Sequence, residues 1–318
     1  MLNVATAAAV ALLALGASAS TPDEIPATLN WEVSQPDGAA PAGSVDFNLG
    51  YRTVNGSSTS GHQVALSTLA GLTPAQLAAK GQPVAFAIHR DAGDFSCKGV
   101  ADQGHGRGTC VYAANAQFPA ALAQRGVAGL QSYQQFQLSL HDLGLAYVDE
   151  LNRQRYAKPT PTDLVAAAHH GAGLKQLQAM DAVGYRFGDV ATLVRVRDHG
   201  VSARYITELK AYGYSALPAS ELVRLRDHGV SANYLSGLRE QGFTGLQPDD
   251  LVRLRDHGVS AGFITELKSM GYDRLAPEEL VRLRDHGVSA SFIRVANRDG
   301  QRLSTDDLIR LRDRGGRD

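Results

Sequence analysis

From residue 190 onward the apolar and polar positions recur on a fixed beat. The block Leu193-Val-Arg-Val-Arg-Asp-His-Gly200 returns at residues 222–229, 251–258 and 280–287 with a spacing of 29, and a shortened copy occupies 308–315 at a spacing of 28. Each full copy continues Val-Ser-Ala, one variable residue (Arg204, Asn233, Gly262 or Ser291), an aromatic residue, and Ile or Leu. In the second copy Leu222 and Leu225 make one i, i+3 stripe, and Tyr234, Leu235 and Leu238 make another, which predicts two short helices per unit. Pro161, Pro248 and Pro277 stand where a first helical turn accepts proline, and Asp and Glu crowd the same turn. Gly229 suits the left-handed position after the first helix, Ser231 an N-cap for the second, and Gly242 its stop. The aromatic after that glycine, Phe243 or Tyr272, is expected to fold back over the helix end.

The same ruler laid backwards finds weaker copies. Leu164, His170-Gly171 and Gly184-Tyr185 fall in register, and one period earlier so do His141, Tyr147, Leu151 and Tyr156. The array is therefore expected over 134–318. Helices this short are marginal alone and become stable by stacking on their neighbours, which predicts an α-solenoid of two-helix repeats.

The N-terminal part has another texture. Residues 28–33, 44–51, 62–66, 83–89, 95–100 and 108–112 read as strands, with Val84, Phe86, Ile88, Phe95 and Val111 feeding a core and a short helix near 72–77. Six strands in about 90 residues suit a small β-sandwich or open barrel. The fold class is thus α+β: a β-rich domain over 20–117, a helical bridge over 118–133, then the array. Residues 4–15 are an apolar run followed by Ala17-Ser18-Ala19, read as a signal peptide over 1–19 that is cleaved; the run is short of the ~20 residues that a membrane span requires. A periplasmic or secreted location is expected, with no stable membrane insertion after cleavage.

Composition narrows the function classes. The formal net charge is −1, which argues against a nucleic-acid binder. The only two cysteines, Cys97 and Cys110, flank the glycine-rich stretch 102–108, read as a hairpin loop. In an exported protein they are expected to pair across it, rather than serve as a redox or metal pair, because Cys-x12-Cys lacks the close spacing of those motifs. From residue 190 on, 20 Lys and Arg face 18 Asp and Glu. The recurrent Arg195, Arg224, Arg253 and Arg282 could grip acidic groups on a partner or pair with Asp and Glu of neighbouring repeats; the near balance of signs favours pairing. The histidine ladder, His141, His170, His199, His228, His257 and His286, admits metal binding, pH sensing or a helix-end structural role, and a spread ladder favours the last. Adjacent Asp227-His228 and its copies point different ways on a helix and form no dyad. Neither His-Glu-x-x-His, Gly-x-Ser-x-Gly nor a phosphate loop occurs, so no catalytic residues, cofactor or metal are expected.

The block Leu-Val-Arg-Leu-Arg-Asp-His-Gly-Val-Ser-Ala, together with Arg90-Asp-Ala-Gly-Asp-Phe-Ser-Cys-Lys-Gly99, resembles the exported region appended to antirepressor metallopeptidase sensors of the beta-lactam-regulator type. The resemblance covers most of residues 80–318 and implies an extracytoplasmic module; the peptidase's membrane bundle and zinc helix are absent, so its activity is not carried over. The resulting expectation is a non-enzymatic exported scaffold that binds a protein or peptide of the cell envelope. Its contact surface would be the Arg ladder (Arg195, Arg224, Arg253, Arg282) with the variable positions Arg204, Asn233, Gly262 and Ser291. The alternative is an envelope sensory module that holds a small ligand in the β-domain.

Overall fold

The computed structural model describes residues 24–36, 41–53, 56–297 and 302–315. The leader read over 1–19 lies outside them. Among the described residues no helix is long and apolar enough to cross a membrane.

The chain is α+β and divides into two compact units: Met1–Asn115 with Gln131–Leu140, and Ala116–Leu130 with His141–Asp318. This moves both expected borders. The bridge helix α2 (Phe118–Gln124) stacks on α4 (Leu145–Arg153) and belongs to the array. Helix α3 (Ser132–Leu140), expected to open the array, packs on the sheet instead. The physical reason is its cargo: Gln135, Gln137 and Ser139 are buried beside Phe136 and Leu140, and each polar side chain finds a partner in the first unit. Gln135 donates to the Ala92 and Asn115 carbonyls at 2.7 and 2.8 Å, Gln137 to the Tyr51 hydroxyl at 2.8 Å, and Ser139 to the Gly93 carbonyl at 2.6 Å.

The first unit is one antiparallel sheet of six strands, β1 (Leu29–Ser34), β2 (Ser44–Thr53), β3 (Gly56–Ala65), β4 (Gln82–Ile88), β5 (Gly93–Asp102) and β6 (His105–Ala114), in the order β3-β2-β1-β6-β5-β4. It is open, neither a sandwich nor a closed barrel. Only one face carries apolar alternation, through Leu29, Trp31, Val33, Phe47, Leu49 and Phe86. That face is covered by α3 and by Leu66, Leu69, Leu72 and Leu77, not by a second sheet. The short helix α1 (Pro74–Ala78) opens with a capping box between Thr73 and Gln76.

Two details differ from expectation. Val111 is 53% exposed, because the alternation places its neighbours Cys110 and Tyr112 on the inner face. The stretch 102–108 is mostly strand: β5 and β6 run on to a two-residue turn at Gln103-Gly104, both with positive φ. Its glycines form a floor for Trp31. A Cβ on Gly108 would lie 2.1 Å from the Lys98 carbonyl oxygen and 2.8 Å from Trp31 Nε1, and one on Gly99 would lie 2.7 Å from the same ring. The indole donates to the Lys98 carbonyl at 3.1 Å and meets Phe86 edge-on at 4.9 Å. Beside it, Cys97 and Cys110 are register partners and form the disulfide. Closing a loop of this size contributes about 3 kcal/mol in the chain-entropy model.

The second unit is the helical repeat array. Its first helices are α5 (Pro161–His169), α7 (Val190–Asp198), α9 (Ala219–Asp227), α11 (Pro248–Asp256), α13 (Pro277–Asp285) and α15 (Thr305–Gly315). Its second helices are α4, α6 (Leu174–Ala182), α8 (Ala203–Ala211), α10 (Ala232–Glu240), α12 (Ala261–Ser269) and α14 (Ala290–Ala296). First helices pack on first helices and second on second, one period apart. Gly229 takes φ 69° after α9, and the Val230 amide closes back on the Leu225 carbonyl at 2.9 Å, a glycine C-cap. Ser231 accepts from the Tyr234 amide and starts α10.

Candidate functional site

The recurrent polar residues meet between repeats. From His170 on, each ladder histidine ends a first helix, and its Nδ1 faces the Asp that stands one residue before the next ladder position, 28 residues on, or 27 for the shortened last copy. The contacts are His170–Asp198 at 2.8 Å, His199–Asp227 at 2.9 Å and His228–Asp256 at 2.7 Å, followed by His257–Asp285 and then His286–Asp313 at 2.9 Å. A carboxylate only accepts, so Nδ1 carries the hydrogen in each of these contacts. The dyads that neighbouring residues of one helix cannot make are thus made across the stack. The signal was in the sequence, as a His-to-Asp spacing one short of the period.

The two arginines of each block do different work. Arg224 pairs with Glu221 at 2.7 Å and with Asp249 of the next repeat at 2.5 Å; Arg253 reaches Glu278 at 3.7 Å and Arg282 reaches Asp306 at 2.7 Å. The corresponding neighbour of Arg195 is Ser220, so Arg195 is exposed without an acidic side chain in that place. The second arginine lies over the aromatic ring of the preceding repeat: Arg226 over Tyr205, Arg255 over Tyr234, Arg284 over Phe263 and Arg312 over Phe292, at 5.1–5.5 Å. The same guanidinium packs on the preceding glycine turn, with Arg255 Nε 3.4 Å from where a Cβ on Gly229 would stand.

Tyrosine hydroxyls add a further set that sequence reasoning did not find. Tyr205 donates to the Val230 carbonyl at 2.9 Å and Tyr234 to the Val259 carbonyl at 3.1 Å. Burial pushes both phenols up to about 12, so they stay neutral donors. The tyrosines after Gly213 and Gly271 also reach forward with their hydroxyls, Tyr214 to the Leu246 carbonyl at 2.9 Å and Tyr272 to the Leu303 carbonyl at 2.7 Å.

The variable positions sit elsewhere. Arg204, Asn233, Gly262 and Ser291 are all exposed at the start of the second helices; Arg204 is paired only with Glu208 of its own helix, at 2.8 Å. Near the end of α10, Tyr212, Tyr214, Leu235, Arg239, Phe243 and Leu246 line a shallow cleft, with Arg239 over the Tyr212 ring at 5.4 Å. Among the described residues no three or more His, Cys, Asp or Glu side chains gather as a metal-holding group.

The first rung in chain order differs from the rest. His141 and His169 occupy, one period earlier, the places of His170 and Asp198, so an imidazole stands where the later copies have the carboxylate. The two rings lie with centres 4.8 Å apart and planes at 48°. His169 titrates below the ordinary histidine range, first because burial penalises its charged form and then because of His170.

No protein-family model matches this chain, and no curated protein and no solved structure matches it.

Proposed function

We propose that this protein is a non-enzymatic, exported scaffold that binds a protein or peptide of the cell envelope along its second helices. The observation that carries the reading is a division of labour. The residues that recur (His, Asp, both arginines and the aromatic ring) are spent on contacts between repeats, and the residues that vary at one repeat position stay exposed. Constant spacing with a changing surface is how a repeat array recognises an extended ligand. The Arg ladder, being paired internally at Arg224, Arg253 and Arg282, is assigned mainly to the stack; Arg195, Arg204 and Asn233 are the contact residues. The disulfide and the likeness of the repeat block to the exported region of antirepressor sensors support a periplasmic or secreted location.

The test is site-specific photocrosslinking in intact cells, with the crosslinker at position 204 or 233 and, as control, at Arg107 on the outer face of the sheet. A discrete adduct at 204 and 233 that is missing at 107 supports the reading. Equal labelling at all three positions, or no adduct at any, overturns it.

A further inference from the structure

We propose that the cleft near the end of α10 takes the C-terminal residue of a partner protein, its apolar side chain against Tyr214 and Leu235 and its carboxylate on Arg239. The inference rests on the scaffold reading and names the chemistry of one contact along the array.

Three departures from the repeat converge there. Lys210, Arg239, Lys268 and Asn297 occupy one repeat position, 29 residues apart. Lys210 donates to the Val183 carbonyl and Lys268 to the Gln241 carbonyl, each at the end of the preceding second helix. Arg239 instead lies over the Tyr212 ring at 5.4 Å and makes no ion pair among the described residues. The ring itself is the second departure, since the other copies of Tyr212 are Val183, Gln241 and Met270. The third is Phe243, which stands where Tyr185, Tyr214 and Tyr272 carry a hydroxyl. All three residues line the cleft. A place that the repeat would make like its neighbours has therefore gained an aromatic wall, dropped a hydroxyl and freed a cation.

The chemistry of the occupant follows. A guanidinium without an acid offers a carboxylate two parallel N–H donors. Apolar walls take an apolar side chain. Arg239 lies over one of those walls, so the ligand must carry both groups close together. On an extended chain neighbouring side chains point to opposite faces, and those on one face stand two residues, about 6.5–7 Å, apart. A chain terminus holds its carboxylate and side chain on one carbon. Burial and then Asp250 raise the Tyr214 phenol, so a negative charge already stands on that side, and Asp250 forms no ion pair with Arg239. The cleft thus suits one carboxylate at Arg239 and not an acidic run.

The experiment is fluorescence anisotropy of the full chain with three labelled peptides: one ending in leucine with a free carboxylate, the same peptide as its C-terminal amide, and an amidated peptide holding aspartate and leucine two residues apart. Saturable binding of the free acid is expected. Amidation removes charge-assisted hydrogen bonds and should weaken binding about 10- to 100-fold, and the internal aspartate should not restore it. Arg239→Lys and Tyr212→Gln introduce residues that the array already carries at those positions, so circular dichroism should be unchanged while binding of the free acid falls by the same order. Arg204→Ala should bind it as the wild type does. The two readings fail separately: crosslinking at 204 and 233 judges the scaffold, and the peptides judge the cleft. Equal binding of the amide or of the internal aspartate peptide, full binding by Arg239→Lys, an equal loss in Arg204→Ala, or no saturable binding of the free acid overturns the proposal.

Discussion

At the scale of single residues, what decides a position is often the room its neighbour needs. Gly108 is in the sheet because Trp31 lies over it, and an added methyl would collide with both the indole and the Lys98 carbonyl. Gly108→Ala should therefore destabilise the first unit by roughly 1–3 kcal/mol, the cost of overpacking a filled core, read as a drop in the urea midpoint followed by Trp31 fluorescence. Ala216 is the opposite case. It takes φ 58° where the next copy has Gly245 at φ 68°. Ala216→Gly relieves a left-handed conformation that costs about 1–2 kcal/mol and gives part of that back as unfolded-chain entropy, so a net gain of up to ~1 kcal/mol is expected in thermal unfolding. The glycine floor was visible in the sequence only as a loop, because spacing shows where glycines are and not what rests on them. Val111 was misplaced for a related reason: a hydrophobic residue on a strand names a face only once its register with Cys110 is known.

At the scale of elements, the helical hairpins were legible because the repeat supplies its own alignment. Positions such as Leu225, Gly229 and Ser231 recur, and their roles follow from helix chemistry. Helix α3 was not legible, since it docks through Gln135, Gln137 and Ser139, and a polar face reads as solvated until the sheet's carbonyls are seen opposite it. Magnitudes then sort the contacts that join elements. The Asp256 rung is 43% exposed and should contribute under ~1 kcal/mol, whereas the Tyr234 hydroxyl serves a buried carbonyl. Tyr234→Phe should cost about 1 kcal/mol and exceed the cost of Asp256→Ala, although Phe263 shows that the ring alone fits the repeat; chemical unfolding of both variants checks the order. Between α4 and α6, Arg153 bonds Glu150 at 2.5 Å and Asp181 at 2.6 Å, and Arg186 also reaches Asp181 at 2.7 Å. These guanidinium bonds hold the Asp181 carboxyl below its usual range, and those of Arg153 and then Gln154 do the same for Glu150. A lowered carboxyl adds stability that is complete above the unfolded-chain value and is lost as pH falls through the folded one. Arg153→Gln should consequently flatten the fall of the melting midpoint below about pH 4, while a slope equal to that of the wild type would deny Arg153 this role.

At the scale of the whole molecule, the array has a property that the sheet lacks: any repeat can in principle follow any other. In the sheet, Cys97 must meet Cys110 and Trp31 must meet Gly108, so no strand is exchangeable. In the array, the junctions draw on one common set, a His for an Asp, an Arg for an acid, an Arg for a ring and, where that ring is Tyr205 or Tyr234, a hydroxyl for a carbonyl, though not every junction has all four. Excision of residues 219–247 tests this directly. The deletion joins Pro218, whose ψ of 157° is one that a following proline tolerates, to Pro248, the first residue of α11. His199 would then face Asp256, Arg255 would cover Tyr205, and the Tyr205 hydroxyl would reach the Val259 carbonyl, all contacts of a type already present. Arg195 would gain Asp249 in place of Ser220. The shortened protein should therefore fold with unchanged helicity per residue. It should also melt lower, because stability in a stack sums over repeats and their interfaces, and at this chain size each kcal/mol lost moves the midpoint by about 2–4 °C. Loss of helicity on excision would mean that the junctions are not interchangeable, and an unmoved midpoint would mean that the hairpins do not lean on one another.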